Sequence, residues 1–390
     1  MTVSPGSWRD PKNLLLLAVV LAACIGVGEF TLRQLPLTDR LGFQQVADVA
    51  ERAAAAGPRE PGQVRILGIG DSFTVFRDAQ GKNYLRIAAS LAADKGKTIS
   101  VVNLGEAGVG LDAYARNLIR FADTVKPDVV VIGLYFGDDL LPHGRKSVRE
   151  RYAEGNLLQP DIRPGETGIL HDLKSIAKKS ILLNYVYRQA KVYIPALRSN
   201  YFEIAFGYLA KQSGLTVAEA RSRMAEVDPE LVDLARADAI NGWDLAFAIC
   251  MPRLYLDTYT LPEDSKSRLK LDERLDDLSF IIAEARKSGI KPVVVYLHPG
   301  IVVAARYRTY FRKLGYAMPP MDVERYKIID QVSAHLNALG VPHLDSLPLL
   351  RASTTDDYIP NDIHLNSKGQ SIVGGALFQM LDQSGLLDGS

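Results

Sequence analysis

Runs of apolar, mostly β-branched residues at 64–69, 99–104, 129–134, 292–297 and, more weakly, 341–344 constrain this chain more than any other feature. A strand with one wet face alternates apolar and polar residues, whereas a strand covered on both faces reads as an unbroken apolar run. Arg65, Ser100, Asn103 and His343 are the polar exceptions in otherwise continuous runs, so these runs belong in the middle of a sandwich. The gaps between them carry helical periodicity. Val323, Tyr326, Ile329, Val332, Leu336 and Leu339 share one face, and Gly340 follows where a helix would stop. Ile372, Val373, Ala376, Leu377, Met380 and Leu381 form a second stripe, with Asn366 or Ser367 placed to cap it. Strands alternating with helices predict an α/β fold, a three-layer α/β/α sandwich around a five-stranded parallel sheet. Ligands of such sheets bind beyond the carboxyl ends of the strands.

Two segments break the rhythm. Residues 141–289 read as a mostly helical insertion that leads into the core helix before the fourth strand. Within it, Thr216 with Glu219 makes a capping box, and Asp228 before Pro229 starts a further helix. This insertion is expected to roof the site and to set specificity. At the other end, Arg9 and Lys12 precede an apolar and small-residue run at 14–28. Basic residues ahead of such a run stay in the cytoplasm and direct the chain beyond it outward. An uncleaved signal anchor, a cleaved signal and a lipoprotein signal at Leu21-Ala22-Ala23-Cys24 all fit. The expected organisation is an anchor or signal at 1–31, a linker at 32–62 that carries an Ala-rich helical stretch from Gln44 to Ala56 and ends in a Pro/Gly cluster, and one domain from 63–140 and 290–390. The domain is expected outside the cytoplasmic membrane, in the periplasm or beyond, tied to it by the N-terminal segment.

Composition excludes several functions. A formal net charge of +1 and the lack of a basic stripe leave no nucleic-acid footprint. Two cysteines, Cys24 and Cys250, cannot form a disulfide framework or a cysteine-rich metal site, and no H-E-x-x-H pair offers zinc ligands. Gly96-Lys97-Thr98 lacks the earlier glycine of a phosphate loop, since Leu91 stands there. Gly108-x-Gly110-x-x-Ala113 resembles a dinucleotide fingerprint, but it follows the second strand and no acidic residue closes the next one.

The residues that carry chemistry sit at the ends of those strands. Ser72 follows the first strand in Gly70-Asp71-Ser72-Phe73-Thr74. A serine hydroxyl needs a base, and His364 in Asn361-Asp362-Ile363-His364 supplies one just before the last helix. Asp362 is placed to orient that imidazole. The backbone N–H groups of Ser72 and of Gly108 are candidate oxyanion donors. His298 and Asp345, after the fourth and fifth strands, read as structural, and His143, His171, His335 and His343 carry no constellation.

These blocks, in this order, resemble the SGNH (GDSL-type) hydrolase superfamily over residues 64–140 and 290–385. The resemblance implies a flavodoxin-like fold and serine-centred chemistry on esters without metal or organic cofactor. Carried over by position, Ser72 is the nucleophile, Gly108 an oxyanion donor, His364 the base and Asp362 its partner. Two positions depart from the pattern. Asp138 stands where the family places an asparagine oxyanion donor; an ionised carboxylate there repels an oxyanion, and a protonated one donates to it. Asn361 stands three before His364, which leaves Asp362 as the triad acid.

The function expected is hydrolysis of an acyl or acetyl ester, on a small molecule, lipid or envelope glycan, through an acyl-enzyme on Ser72. An envelope O-acyltransferase using the same triad, or a non-catalytic glycan-binding protein of the same fold, are the alternatives.

Overall fold

Each apolar run forms a strand: β1 (Val64–Gly70), β2 (Ile99–Asn103), β3 (Val129–Tyr135), β4 (Lys291–Leu297) and β5 (His343–Asp345). They pair in parallel as a five-stranded sheet in the order β2-β1-β3-β4-β5, the expected α/β fold. This computed structural model describes residues 26–28, 48–76, 82–137, 139–140, 147–158, 201–237, 239–261 and 266–388. Apart from 26–28, they belong to one compact unit, Val46–Pro160 with Ser199–Ser390.

The central strands are covered on both faces, as their composition requires. Val129, Val130, Val131, Ile132 and Leu134 of β3 are fully buried, as are Val293, Val294 and Val295 of β4. Each such side chain stabilises the fold by about 1.5–3 kcal/mol. The fifth strand starts later than its apolar run, because Pro342 has no N–H to donate and contributes only its carbonyl, to Val294 N.

The layers are helical. α1 (Val49–Ala54) precedes the sheet, and α2 (Ser72–Val75), α3 (Tyr84–Asp94) and α4 (Leu111–Val125) connect its first three strands. Between β3 and β4 lie α5 (Val148–Ala153), α6 (Tyr201–Gln212), α7 (Val217–Ala225), α8 (Pro229–Arg236), α9 (Gly242–Cys250), α10 (Leu254–Thr260) and α11 (Lys266–Lys287). After β4 come α12 (Gly300–Val303), a 3₁₀ turn (Ala305–Tyr307), α13 (Arg308–Leu314) and α14 (Lys327–Ala338). α15 (Leu347–Ala352) and α16 (Ser367–Gln383) close the fold. Thr216 and Glu219 form their capping box at α7, and Asp228 caps α8. Asn366, not Ser367, caps α16 by accepting from Lys368 N and Gly369 N. Val323 and Tyr326 precede α14 although they share its apolar spacing, with Tyr326 at the cap position.

Within the expected linker at 32–62, the Ala-rich stretch at 44–56 contains the helix α1. α1 buries Val49 and Ala53 in the core, and its Arg52 donates to the carbonyls of Asn103 and Gly105. The Pro/Gly cluster is strapped to β1 by the buried Arg65, which donates to Gly57 O and Pro58 O at 3.2 Å. Arg65, the one charge in the first strand, satisfies carbonyls that the turn would otherwise leave unpaired. No helix among the described residues is long and apolar enough to cross a membrane. The expected anchor at 1–31 lies outside the described residues except for 26–28.

Candidate active site

Ser72 is positioned by glycines beneath it. A Cβ on Gly70 would lie 2.1 Å from Thr74 Oγ1 and 2.9 Å from Gly133 O, and one on Gly133 would also meet Thr74 Oγ1 at 2.1 Å. Only bare backbone at both strands lets α2 settle so close to the sheet. Asp71 starts that short helix by accepting from Phe73 N at 2.9 Å. Thr74 O then accepts from the side-chain amides of Asn83 and Asn103, each at 2.6 Å, and Thr74 Oγ1 lies 3.0 Å from Tyr84 Oη. Gln370 of α16 accepts from Tyr84 N at 2.9 Å, which ties the Ser72 turn to the helix behind His364.

The partner loop folds back on itself. Tyr358 and Leu365 form an antiparallel bridge, Ile359 N donates to His364 O at 2.9 Å, and Asn361 takes the left-handed turn at φ +58°. Asp362 Oδ1 accepts from His364 N at 2.9 Å, a local turn that brings a carboxylate onto a ring only two residues ahead. The same oxygen lies 2.5 Å from His364 Nδ1. On the far side of the ring, His364 Nε2 lies 2.7 Å from Ser72 Oγ. The second acceptor open to that hydroxyl, Asp71 Oδ2, is 3.5 Å away, so its proton points at the imidazole. Aromatic rings hold the imidazole in place: Phe73 at 4.9 Å, itself stacked on Tyr135, and Phe76 edge-on at 4.6 Å.

Electrostatics agree with this assignment. Burial pushes the Asp362 carboxyl up, but the His364 charge, the ring hydrogen bond and the N–H groups of His364 and Ile363 outweigh it, leaving the carboxyl below its ordinary value. Asp362 is therefore ionised and fixes the proton on Nδ1, so Nε2 is free to accept.

Gly108 lies on the loop after β2, exposed, with φ +70°. That loop is held against α2 by Glu106 N donating to Gly70 O at 3.0 Å and by Arg52 donating to Gly105 O at 2.9 Å. Among the described residues, neither Ser72 N–H nor Gly108 N–H has an acceptor. Asp138 lies outside the described residues. Its neighbour Asp139 is buried and accepts from Tyr114 Oη at 2.8 and 2.9 Å and from Tyr135 N at 2.8 Å, closing the turn after β3.

The structure thus brings Ser72, His364 and Asp362 together. Sequence reasoning missed the support around them: Arg52, Asn83, Asn103, Tyr84 and Gln370. The signal available for Asn103 was a polar residue ending an apolar run. For Gln370, 286 residues beyond its partner Tyr84, there was none. His298 and Asp345 form a second pair, Nε2 to Oδ1 at 3.1 Å, with Tyr259 Oη on the other ring nitrogen at 2.9 Å. Among the described residues no group of three or more His, Cys, Asp or Glu is arranged to hold a metal.

No family model and no curated protein matches the chain. Solved structures do. A lipase/acylhydrolase from Enterococcus faecalis shares 13% identity at TM-score 0.36, covering 82% of this chain and 96% of that one. A GDSL-like lipase from Bacteroides thetaiotaomicron shares 10% at TM-score 0.37, covering 86% and 96%. A catalytic mutant of an acetylxylan esterase from Geobacillus stearothermophilus shares 12% at TM-score 0.39, covering 83% and 96%. The chain is similar to these GDSL-type lipases, acylhydrolases and esterases in fold.

Proposed function

We propose that this protein is a serine esterase working through an acyl-enzyme on Ser72. One observation carries the reading: an unbroken hydrogen-bonded chain from Ser72 Oγ through His364 to Asp362, at 2.7 and 2.5 Å. Oγ attacks the ester carbonyl carbon while its proton passes to His364 Nε2. Asp362 stabilises the imidazolium through Nδ1. The imidazolium then protonates the departing alkoxide oxygen, the carbon–oxygen bond breaks, and the alcohol leaves an ester on Ser72. Water gives a proton to Nε2 and attacks that ester; the acid departs as Ser72 regains its proton. The N–H groups of Ser72 and Gly108 serve as donors to the oxyanion; Asp138 stands in the sequence where the resembled superfamily carries an asparagine donor. The substrate is an ester-bearing small molecule, lipid or glycan. The basic residues before the run at 14–28 support a catalytic unit outside the cytoplasmic membrane.

A fluorophosphonate probe tests this directly, because it forms a stable bond only with an activated serine. The full-length chain should label and Ser72→Ala should not. An unlabelled wild-type protein, or a Ser72→Ala variant that still turns over esters, would overturn the reading.

A further inference from the structure

Two large apolar side chains stand open to solvent beside the His364 imidazole. Phe76 is 38% exposed, and its ring meets that of His364 edge-on at 4.6 Å. It is the cap residue that ends α2, and its N–H donates to Ser72 O at 3.0 Å, so the turn that carries the nucleophile also sets this ring. Ile359, also 38% exposed, comes from the other arm of the hairpin that carries His364. Tyr358 and Leu365 are the bridged pair of that hairpin, flanked by Asn366 N donating to Asp357 O and Ile359 N donating to His364 O, both at 2.9 Å. Ile359 therefore stands directly opposite His364, and residues opposite one another across an antiparallel pair project to the same face. Tyr358 and Leu365 project to the other face and are buried, 1% and 4% exposed.

Exposed apolar side chains scattered singly need no explanation. These two share a neighbour, the base of the triad, and the chemistry of acyl transfer says what passes there. In the tetrahedral intermediate the carbonyl carbon holds Ser72 Oγ, the oxyanion, the acyl chain and the leaving oxygen. His364 Nε2 must hand its proton to the leaving oxygen, so the alcohol half of the ester lies next to the imidazole. The acyl chain exchanges no proton and has no need of that place.

We infer that Phe76 and Ile359 form the subsite for the alcohol half of the ester, and that this alcohol is apolar, an alkyl or aryl alcohol rather than a polyol. This rests on the triad assignment above. Seating such an alcohol covers both side chains, and the gain grows with each methylene removed from water.

The test varies one half of the ester at a time, with full-length protein. Ethyl, butyl and hexyl acetate share an acyl group and have leaving oxygens of nearly equal basicity, and glycerol monoacetate adds a polar alcohol. Ethyl acetate, butyrate and hexanoate vary the acyl group instead. In wild type, kcat/KM should rise about tenfold from ethyl to hexyl acetate, with glycerol monoacetate below butyl acetate. Phe76→Ala should flatten that rise to about twofold or less, while the acyl series keeps its wild-type slope. Phe76→Leu should restore most of the rise, and Ile359→Ser should reduce it about threefold. Loss of the same factor for every ester in Phe76→Ala would make that ring a support for the imidazole alone and overturn the inference. So would a flat alcohol series in wild type, or an acyl slope that changes as much as the alcohol slope. Ser72→Ala run alongside separates the two readings. Absence of Ser72-dependent turnover removes the triad assignment and the subsite together, whereas Ser72-dependent turnover with a flat alcohol series removes the subsite alone.

Discussion

Two imidazole–carboxylate pairs stand at the carboxyl end of the sheet, and they are built from the same parts. In one, Asp362 meets His364 Nδ1 and Ser72 meets Nε2. In the other, Asp345 meets His298 Nε2 and Tyr259 meets Nδ1. The first is open: the side chains of His364 and Asp362 are 10% and 31% exposed, and Ser72 is half-buried. The second is shut, with the His298 side chain at 0% and Tyr259 fully buried. His298 O also accepts from Tyr358 Oη at 2.8 Å, so this pair joins β4, β5, α10 and the loop that carries Asp362. A histidine held by a carboxylate is thus not a catalyst by virtue of the pair. The group on its other nitrogen, and whether a substrate can reach that atom, separates a base from a strut.

That contrast can be broken at either pair. The largest effect expected is from Asp362→Asn, which removes the carboxylate that fixes the tautomer: kcat/KM should fall by about 10⁴ with the melting temperature little changed. A loss below about tenfold would mean that Asp362 does not act as the triad acid. Next, Asp138→Asn sharpens the reading of the open pair by supplying a neutral amide donor. Fluorophosphonate labelling of Ser72 should speed up by about 10² or more, and an unchanged rate would place Asp138 away from the oxyanion.

At the shut pair the effects belong to stability. Asp345→Asn should destabilise the fold by about 1–3 kcal/mol, measured in urea, and leave kcat/KM within about threefold. Burial raises the Asp345 carboxyl, but the hydrogen bond and charge of His298 outweigh it, so the folded value lies below the ordinary one. This stabilisation is complete above about pH 4 and lost as pH falls through the folded-state value, so the difference between Asp345→Asn and wild type should shrink on acidification. Tyr259→Phe, which leaves one ring nitrogen of His298 without its hydroxyl, should give the smallest effect, about 1 kcal/mol. A large loss of activity in either variant would erase the distinction between the pairs.

Legibility tracks the range of the interaction. The strands were readable because apolar continuity is a local property with one physical cause, burial on both faces. Ser72 and Asp362-x-His364 were readable because each depends on a few neighbouring residues, and the order of blocks resembled a known superfamily. The Ala-rich stretch at 44–56 was legible as helix, and Val49–Ala54 does form one, whereas the arginines that strap 52–65 to its neighbours act across space and leave no local sign. His298 and Asp345 were read as structural, and the partner on the other ring nitrogen of His298, Tyr259, comes from the helical segment, where nothing in the local pattern points to it.

By itself the amino-acid order determined the five parallel strands, the glycines beneath Ser72 and the turn that lays Asp362 on His364, because each is settled by sterics or burial within a few residues. The tertiary structure alone decided that Ser72 meets His364 across 292 residues of chain and that Tyr259 closes off His298. Those contacts arise from packing many elements onto one sheet, and the energy that selects among such packings is spread over the whole core rather than written in any one segment.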